Sequence, residues 1–418
     1  MLRRRSLADD TPAVITGVGL ISPIGFGRQQ FWSALCEGRS GIRPIEGWSV
    51  QPGRPRLAAQ VRDFAAREFI TSSHLRRMDR LSRMIVAASR MALDDGRLSL
   101  NRLSPDRLGV VVGSAFGNIS ESVRYLERVF AKGPAAASPM VFPTLVLNAP
   151  ASYVAMELGV TGINFTVSQN ETTGQQAIIL AHDMVRAGRA DVVLAGGGDE
   201  FAPIVHEVAY RARALSSQHG GREWSSPYDI GRNGIVFGEG AAMLVVESAR
   251  HARARGAAVL AAIEQVANFT VPAPPYGWPA TARAALPHLR RLLGVNGDAG
   301  TCVDLVCGAA NSSRRLDACE LDLFAALFEQ QREAVMLTSI KGAIGEFGAA
   351  DALTAAAAVL ALCHQSAPPL CHLTQPEQAP PLRFAGTRAK TQHLDHVLVS
   401  GIARGGGAAA LLLARGDY

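Results

Sequence analysis

Short apolar runs alternate along this chain with longer stretches of helical period. Residues 13–21 (Ala-Val-Ile-Thr-Gly-Val-Gly-Leu-Ile) are β-branched, glycine-punctuated and few, the pattern of a buried strand. Residues 31–36 read as a short helix. Over residues 75–96, Met78, Leu81, Met84, Ile85 and Met91 recur near helical spacing with arginines between them. Residues 107–113 and 163–168 read as strands. Residues 172–187 are helical, with Ala177, Ile178, Ala181, Met184 and Val185 on one stripe and Gly188 as a stop. The next strand, 191–195, ends at Gly196-Gly197-Gly198, and residues 228–247 read as a β-hairpin.

From Gly256 the alternation starts again. Strands are expected at 257–266, 303–307, 335–339, 394–400 and 408–413, and helices at 280–293, 317–328 and 349–363. Two stretches of similar βα order suggest an internally duplicated, layered α/β/α fold. The halves are drawn at residues 1–255 and 256–418. The proline-rich pieces at 271–275 and 367–369 read as loops inside it.

Composition narrows the class. With 418 residues, 48% hydrophobic and 19% charged, the chain can bury a large core and is too apolar for disorder. The most apolar helix, 349–363, carries Asp351 and is too short to span a bilayer, and no secretory leader is visible, so the expected location is the cytoplasm. The six cysteines, Cys36, Cys302, Cys307, Cys319, Cys363 and Cys371, form no C-x-x-C pair and read as reduced thiols. His182 and His206 read as surface or helix histidines with no metal-site spacing. The net charge is +6, almost all of it arginine, since lysine occurs only at positions 132, 341 and 390. Genome composition accounts for such an excess as readily as an acidic partner does. No nucleic-acid motif accompanies it, and Arg3-Arg4-Arg5 reads as a solvated terminus.

Three segments carry a family resemblance. Val14-Ile-Thr-Gly-Val-Gly-Leu-Ile-Ser-Pro-Ile-Gly25 resembles the opening strand and turn of β-ketoacyl-acyl carrier protein synthases. Ser138-Pro-Met-Val-Phe-Pro143 with Asn148 resembles their dimer-interface segment. Ser226-Pro-Tyr-Asp-Ile-Gly-Arg-Asn-Gly-Ile-Val-Phe-Gly-Glu-Gly240 is similar to their most recognisable stretch. The resemblance runs from about residue 12 to 414. It implies the thiolase-like fold, two duplicated βα halves forming five α/β/α/β/α layers, that works as a dimer.

The same resemblance specifies a site that this sequence does not contain. The family's nucleophile is a cysteine at a buried helix N-terminus, where dipole and neighbours favour the thiolate; Ser168-Gln-Asn-Glu-Thr-Thr-Gly174 puts Glu171 there. The first of two enolate-stabilising histidines falls at Ala309, fixed by the retained Asp317 and Glu320. The second falls at Glu346, after the retained Lys341, which is expected to pair with Glu320 in a network that Glu346 can join. The gating aromatic is replaced in the loop holding Ala403, Arg404 and Gly405. Glu171 itself is expected to be stabilised by the helix dipole and the N–H groups of that end.

The resemblance therefore implies a non-condensing subunit of the chain-length-factor type from type II polyketide systems. Such a subunit pairs with an active ketosynthase, works on chains borne by acyl carrier protein and shapes the tunnel for a polyketide or polyene chain. Val141, Phe142 and Asn148 would lie at the heterodimer interface and tunnel. No cofactor, metal, nucleic acid or membrane partner is expected. Two enzymatic readings remain beside it: a malonyl carrier-protein decarboxylase or acyltransferase acting in initiation, and a condensing enzyme with a nucleophile relocated to Cys302, Cys307 or Cys319.

Overall fold

The computed structural model describes residues 12–70, 73–294, 301–331 and 335–416; the Arg3-Arg4-Arg5 cluster lies outside them. Ten of the twelve strands of the main sheet form two five-stranded groups of one topology. The first comprises β1 (Ala13–Ser22), β2 (Leu108–Gly113), β3 (Asn164–Val167), β4 (Val192–Asp199) and β5 (Gly240–Ser248), in the spatial order β1-β5-β4-β2-β3. The second comprises β6 (Ala261–Thr270), β7 (Leu305–Cys307), β8 (Met336–Thr338), β9 (His396–Ile402) and β10 (Gly407–Arg415), in the order β6-β10-β9-β7-β8. Each group opens with two antiparallel pairings and continues with two parallel ones. The groups meet where β1 pairs antiparallel with β6, Ala13 opposite Ile263 and Ile15 opposite Ala261.

The layers follow from the two-residue period of the strands. Val192 and Leu194 face a helix, α1 (Arg80–Asp95), while Val193 and Ala195 face the opposite way, into a cluster with α2 (Thr173–Arg186) and a second helix described below. In the other group Leu398 and Leu412 face α3 (Arg314–Leu327), whereas Val397, Val399, Leu411 and Leu413 face that same central cluster. The result is five layers: α1, sheet, α2 with α4 (Ala350–His364), sheet, α3. Because α4 lies between two sheets it is buried nearly all round, which explains its apolar sequence without a membrane. No helix among the described residues is long and apolar enough to cross one.

Glycine sets the spacing at one outer contact. A Cβ on Gly17 or Gly19 of β1 would collide with the carbonyl oxygens of Ala92 or Ala88 in α1. The helix can therefore rest directly on the strand backbone.

Several boundaries differ from the expectation, each for a local reason. Residues 228–247 are no hairpin: Tyr228 sits at φ +63°, an irregular loop follows, and only β5 is a strand, inserted between β1 and β4. Gly196-Gly197-Gly198 does not end its strand but continues β4 to Asp199, with Gly196 and Gly197 paired on both sides and Gly198 on one. The helix at 280–293 shortens to Leu286–Leu292 behind a single 3₁₀ turn, with Pro287 in its first turn. His182 and His206 lie on helices but are buried, bonding Asp183 and the Pro55 carbonyl.

Candidate functional site

The central helices α2 and α4 meet at their N-terminal ends. Asp351, in the first turn of α4, accepts hydrogen bonds from the Gly174 N–H (3.0 Å) and the Gln175 N–H (2.7 Å) of α2. One helix thus caps the other, and burial holds the Asp351 carboxyl up at about 7 against those donors. The Gly174 position tolerates no side chain, because a Cβ would lie 2.6 Å from both Asp351 Oδ1 and Ala352 Cβ.

Glu171 stands in the 3₁₀ turn that leads into α2 and is 4% exposed. The free N–H groups expected to stabilise it are already bonded to Asp351. Its partner comes from the loop after β9. Glu171 Oε1 accepts from Arg404 Nε (2.6 Å) and lies 2.5 Å from Nη2, and Oε2 accepts the Arg404 backbone N–H at 3.0 Å. Asn170 Nδ2 donates to the Arg404 carbonyl at 3.0 Å, so four contacts fasten this loop to the helix start. Beyond Arg404 the loop turns through Gly405 and Gly406 at φ +81° and +90°, where glycine has no steric cost. The Arg404 guanidinium lies over Trp278, 5.8 Å from the ring centroid. Ala403 is buried and donates its N–H to the Gly407 carbonyl.

A second carboxylate cluster adjoins the first. Lys341 Nζ bonds Glu346 Oε1 and Oε2 at 3.0 and 2.8 Å, and Asn311 Nδ2 donates to Oε2 at 2.6 Å. The expected Lys341–Glu320 pair is therefore corrected: the lysine bonds Glu346. Glu320 serves the strand-end backbone instead, accepting from the Ala309 and Ala310 N–H groups at 2.7 and 2.9 Å and from the Tyr228 hydroxyl at 2.7 Å. Asp317 accepts from the Tyr228 and Asn311 N–H groups at 2.9 and 3.0 Å, with Arg232 3.7 Å away. Burial raises the Glu346 and Glu320 carboxyls, and it raises Asp317 to about 7. The Lys341 charge pulls Glu346 back down, whereas the Glu171 carboxylate pushes it up.

Five residues singled out in the sequence thus converge: Glu171, Ala309, Lys341, Glu346 and Arg404, with Asp317 and Glu320 behind Ala309. Their side chains include no imidazole and no thiol. Ala309 offers only a methyl group, and its N–H is committed to Glu320. Burial pushes the thiols of Cys307 and Cys319 up to about 12, which disfavours the thiolate, and Cys302 is exposed. Tyr228, Asn311 and Trp278 complete the arrangement and were not singled out as site residues. A buried glutamate does require a cation or donors, but nothing in the spacing of 171 and 404 identifies the pair.

Val141, Phe142 and Asn148 lie elsewhere, on a surface segment after the helix Ile119–Lys132. Phe142 is 59% exposed, and Phe130, Met140 and Phe165 are exposed as well. Phe165 sits on β3, the outermost strand of the first group, which pairs only with β2. Among the described residues no cluster of His, Cys, Asp or Glu is placed to hold a metal ion.

Fold and site together define a thiolase-like fold in which two buried ion pairs, Glu171–Arg404 and Lys341–Glu346, lie at the site. The chain belongs to the β-ketoacyl synthase family, matching its N-terminal domain over residues 10–252 and its C-terminal domain over 276–374. It is 33% identical to the granaticin polyketide putative β-ketoacyl synthase 1 of Streptomyces violaceoruber, covering 96% of this chain and 98% of that one. Against the 3-oxoacyl-[acyl-carrier-protein] synthase 2 of Coxiella burnetii the identity is 29% over the same shares. Among solved structures it is similar to the ishigamide ketosynthase/chain length factor, with TM-score 0.89, 28% identity, and coverage of 97% of this chain and 99% of that one. A β-ketoacyl synthase from Burkholderia phymatum aligns at TM-score 0.86 with 26% identity, covering 97% and 99%.

Proposed function

We propose that this chain is a non-condensing ketosynthase-like subunit of the chain-length-factor type. On this reading it pairs with an active β-ketoacyl synthase in the cytoplasm and shapes the tunnel in which a carrier-bound polyketide or polyene chain grows. The observation that carries it is the Glu171–Arg404 bridge. The position that the family resemblance assigns to the nucleophile holds a carboxylate already bonded to the loop that would have to move for acyl entry. Ala309 and Glu346, at the positions of the two histidines, argue against decarboxylation too. An enolate oxygen needs donors, each worth about 3–4 kcal/mol, and two neighbouring carboxylates oppose its charge.

Large apolar side chains left exposed, among them Phe130, Met140, Phe142 and Phe165, are in keeping with a partner that covers them. The solved relative described as a ketosynthase/chain length factor is consistent with a ketosynthase as that partner. The test is co-expression with a candidate active ketosynthase, followed by size analysis and elongation assays with malonyl carrier protein. A one-to-one complex that elongates only when both chains are present supports the reading. Elongation or carbon dioxide release by this chain alone overturns it.

A further inference from the structure

The helix Ile119–Lys132 is held loosely to the body of the protein. None of its 14 residues is buried. Ile119, Val123, Leu126 and Phe130 fall on one stripe, and Leu126 and Phe130 are 48% and 82% exposed. Asn118 caps the helix, its side chain accepting the Glu121 N–H at 3.4 Å. Among the described residues, the one side chain from outside the helix and its cap that accepts a hydrogen bond from it is Glu200. Glu200 Oε1 takes the Ser120 N–H at 2.7 Å.

Glu200 follows β4 directly and is only 3% exposed. Around it three carboxylates, its own included, meet one guanidinium. Asp79 and Arg80 face it from the start of α1, and Glu239 faces it from the loop before β5. Arg80 is committed to Glu239, which it bonds through Nε and Nη2 at 3.3 and 2.6 Å, and Nη2 also bonds the Val61 carbonyl. Asp79 is occupied with the Ser82 N–H and hydroxyl, at 2.8 and 2.6 Å. On the helix itself Glu121 and Arg124 pair with each other at 3.4 Å. An ionised Glu200 thus has Ser120 alone to offset its burial, while Asp79 and Glu239 oppose its charge. Burial, reinforced by those two carboxylates, raises the Glu200 carboxyl to about 7 against the pull of the Ser120 N–H and hydroxyl.

We propose that Glu200 is a proton-operated latch on the helix Ile119–Lys132. Neutral, its carboxyl stays buried and holds the Ser120 N–H, so the start of the helix lies against the body. Ionised, it is better placed in water, which it reaches when the start of the helix lifts, and the face bearing Leu126 and Phe130 shifts with it. The support that closure draws from Glu200 is complete below the ordinary carboxyl value of 4.5 and is lost as pH rises through about 7. With the carboxyl at 4.5 in the open helix and about 7 in the closed one, the opening equilibrium grows about tenfold from pH 6 to pH 8. How the chain presents that apolar face then depends on pH within the neutral range. The latch goes beyond the partner-subunit reading and does not rest on it, because it is a property of the isolated chain.

The experiment is hydrogen exchange on the purified full chain across the range from pH 6 to pH 8. Protection of residues 119–126 is expressed against the exchange rates of the same peptide unfolded, so that the intrinsic pH dependence of exchange cancels. The expected result is a loss of protection of about tenfold over that range. Glu200→Gln keeps an oxygen for the Ser120 N–H but cannot ionise, so its protection should stay constant. Asp79→Asn keeps a capping side chain at the start of α1 and removes one opposing charge, so the midpoint of the pH response should fall. That second variant decides the question should Glu200→Gln fail to fold. Protection of the native chain that is indifferent to pH, an equal pH response in Glu200→Gln, or a midpoint that Asp79→Asn leaves in place each overturns the proposal.

Discussion

Replacing Arg404 with methionine removes one partner of a bridge whose other partner is deeply buried. The Glu171 side chain is 3% exposed while the Arg404 side chain is 31% exposed, so the two ends of the pair are not equivalent. In Arg404→Met the carboxylate keeps at most the residue-404 N–H and still faces Glu346. Stranding one member of a buried pair costs about 3–5 kcal/mol, and water reaching the arginine end favours the lower part of that range, ~3 kcal/mol. In Glu171→Met the guanidinium is stranded instead, but it already reaches solvent and can rehydrate, so the cost is about 1–2 kcal/mol. The double replacement leaves no unpaired charge. It should be more stable than Arg404→Met alone, with a coupling energy of ~2 kcal/mol or more. Urea unfolding midpoints measure all three variants, at one protein concentration because partner binding contributes to apparent stability. The reasoning fails if Arg404→Met is no more costly than Glu171→Met, or if the double variant is additive to within about 0.5 kcal/mol.

Three further expectations follow the same physical lines. Lys341→Met leaves Glu346 buried against Glu171 and should cost about 3–5 kcal/mol, with Lys341→Met/Glu346→Leu recovering most of it in the same unfolding assay. Phe142→Asp/Phe165→Asp, at two exposed apolar side chains, should weaken the proposed ketosynthase complex by about 2 kcal/mol or more, roughly thirtyfold in Kd, while the unfolding midpoint of the isolated chain stays put. Asp351 titrates at about 7 in the folded chain, above the ordinary carboxylate value, so its contribution is complete at low pH and is lost as pH rises through 7. Asp351→Asn should therefore shrink the stability difference between pH 5 and pH 8, and an unchanged difference would count against that assignment.

Much of the fold was legible because strand and helix periods differ, and the second half repeats the first. Burial on both faces made β1, β2 and β4 short apolar runs, and the sheltered position of α4 made it an apolar helix. Misreadings arose where tertiary pairing overrode local propensity. Three glycines looked like a stop, yet β2 and β5 pair across them and keep the strand extended. The loop from Tyr228 read as a hairpin, but Tyr228 bonds Asp317 and Glu320, far along the chain, and not a neighbouring strand. Within the site, motif spacing located Glu171, Ala309, Lys341 and Glu346. It did not locate their partners, because Glu171–Arg404 spans 233 positions and depends on how the two halves stack. The Lys341 pairing went wrong for a related reason: Glu320 is close in motif but has its lone pairs aimed at backbone N–H groups.

The Glu171–Arg404 bridge also bears on which mutational steps lie open to this chain. A thiol placed at position 171 would strand a guanidinium. An aromatic side chain placed at position 404 would strand a buried carboxylate. Either step alone sacrifices stability. The two partners hold each other in place, as by a ratchet: leaving the bridge without a stranded charge requires both changes at once.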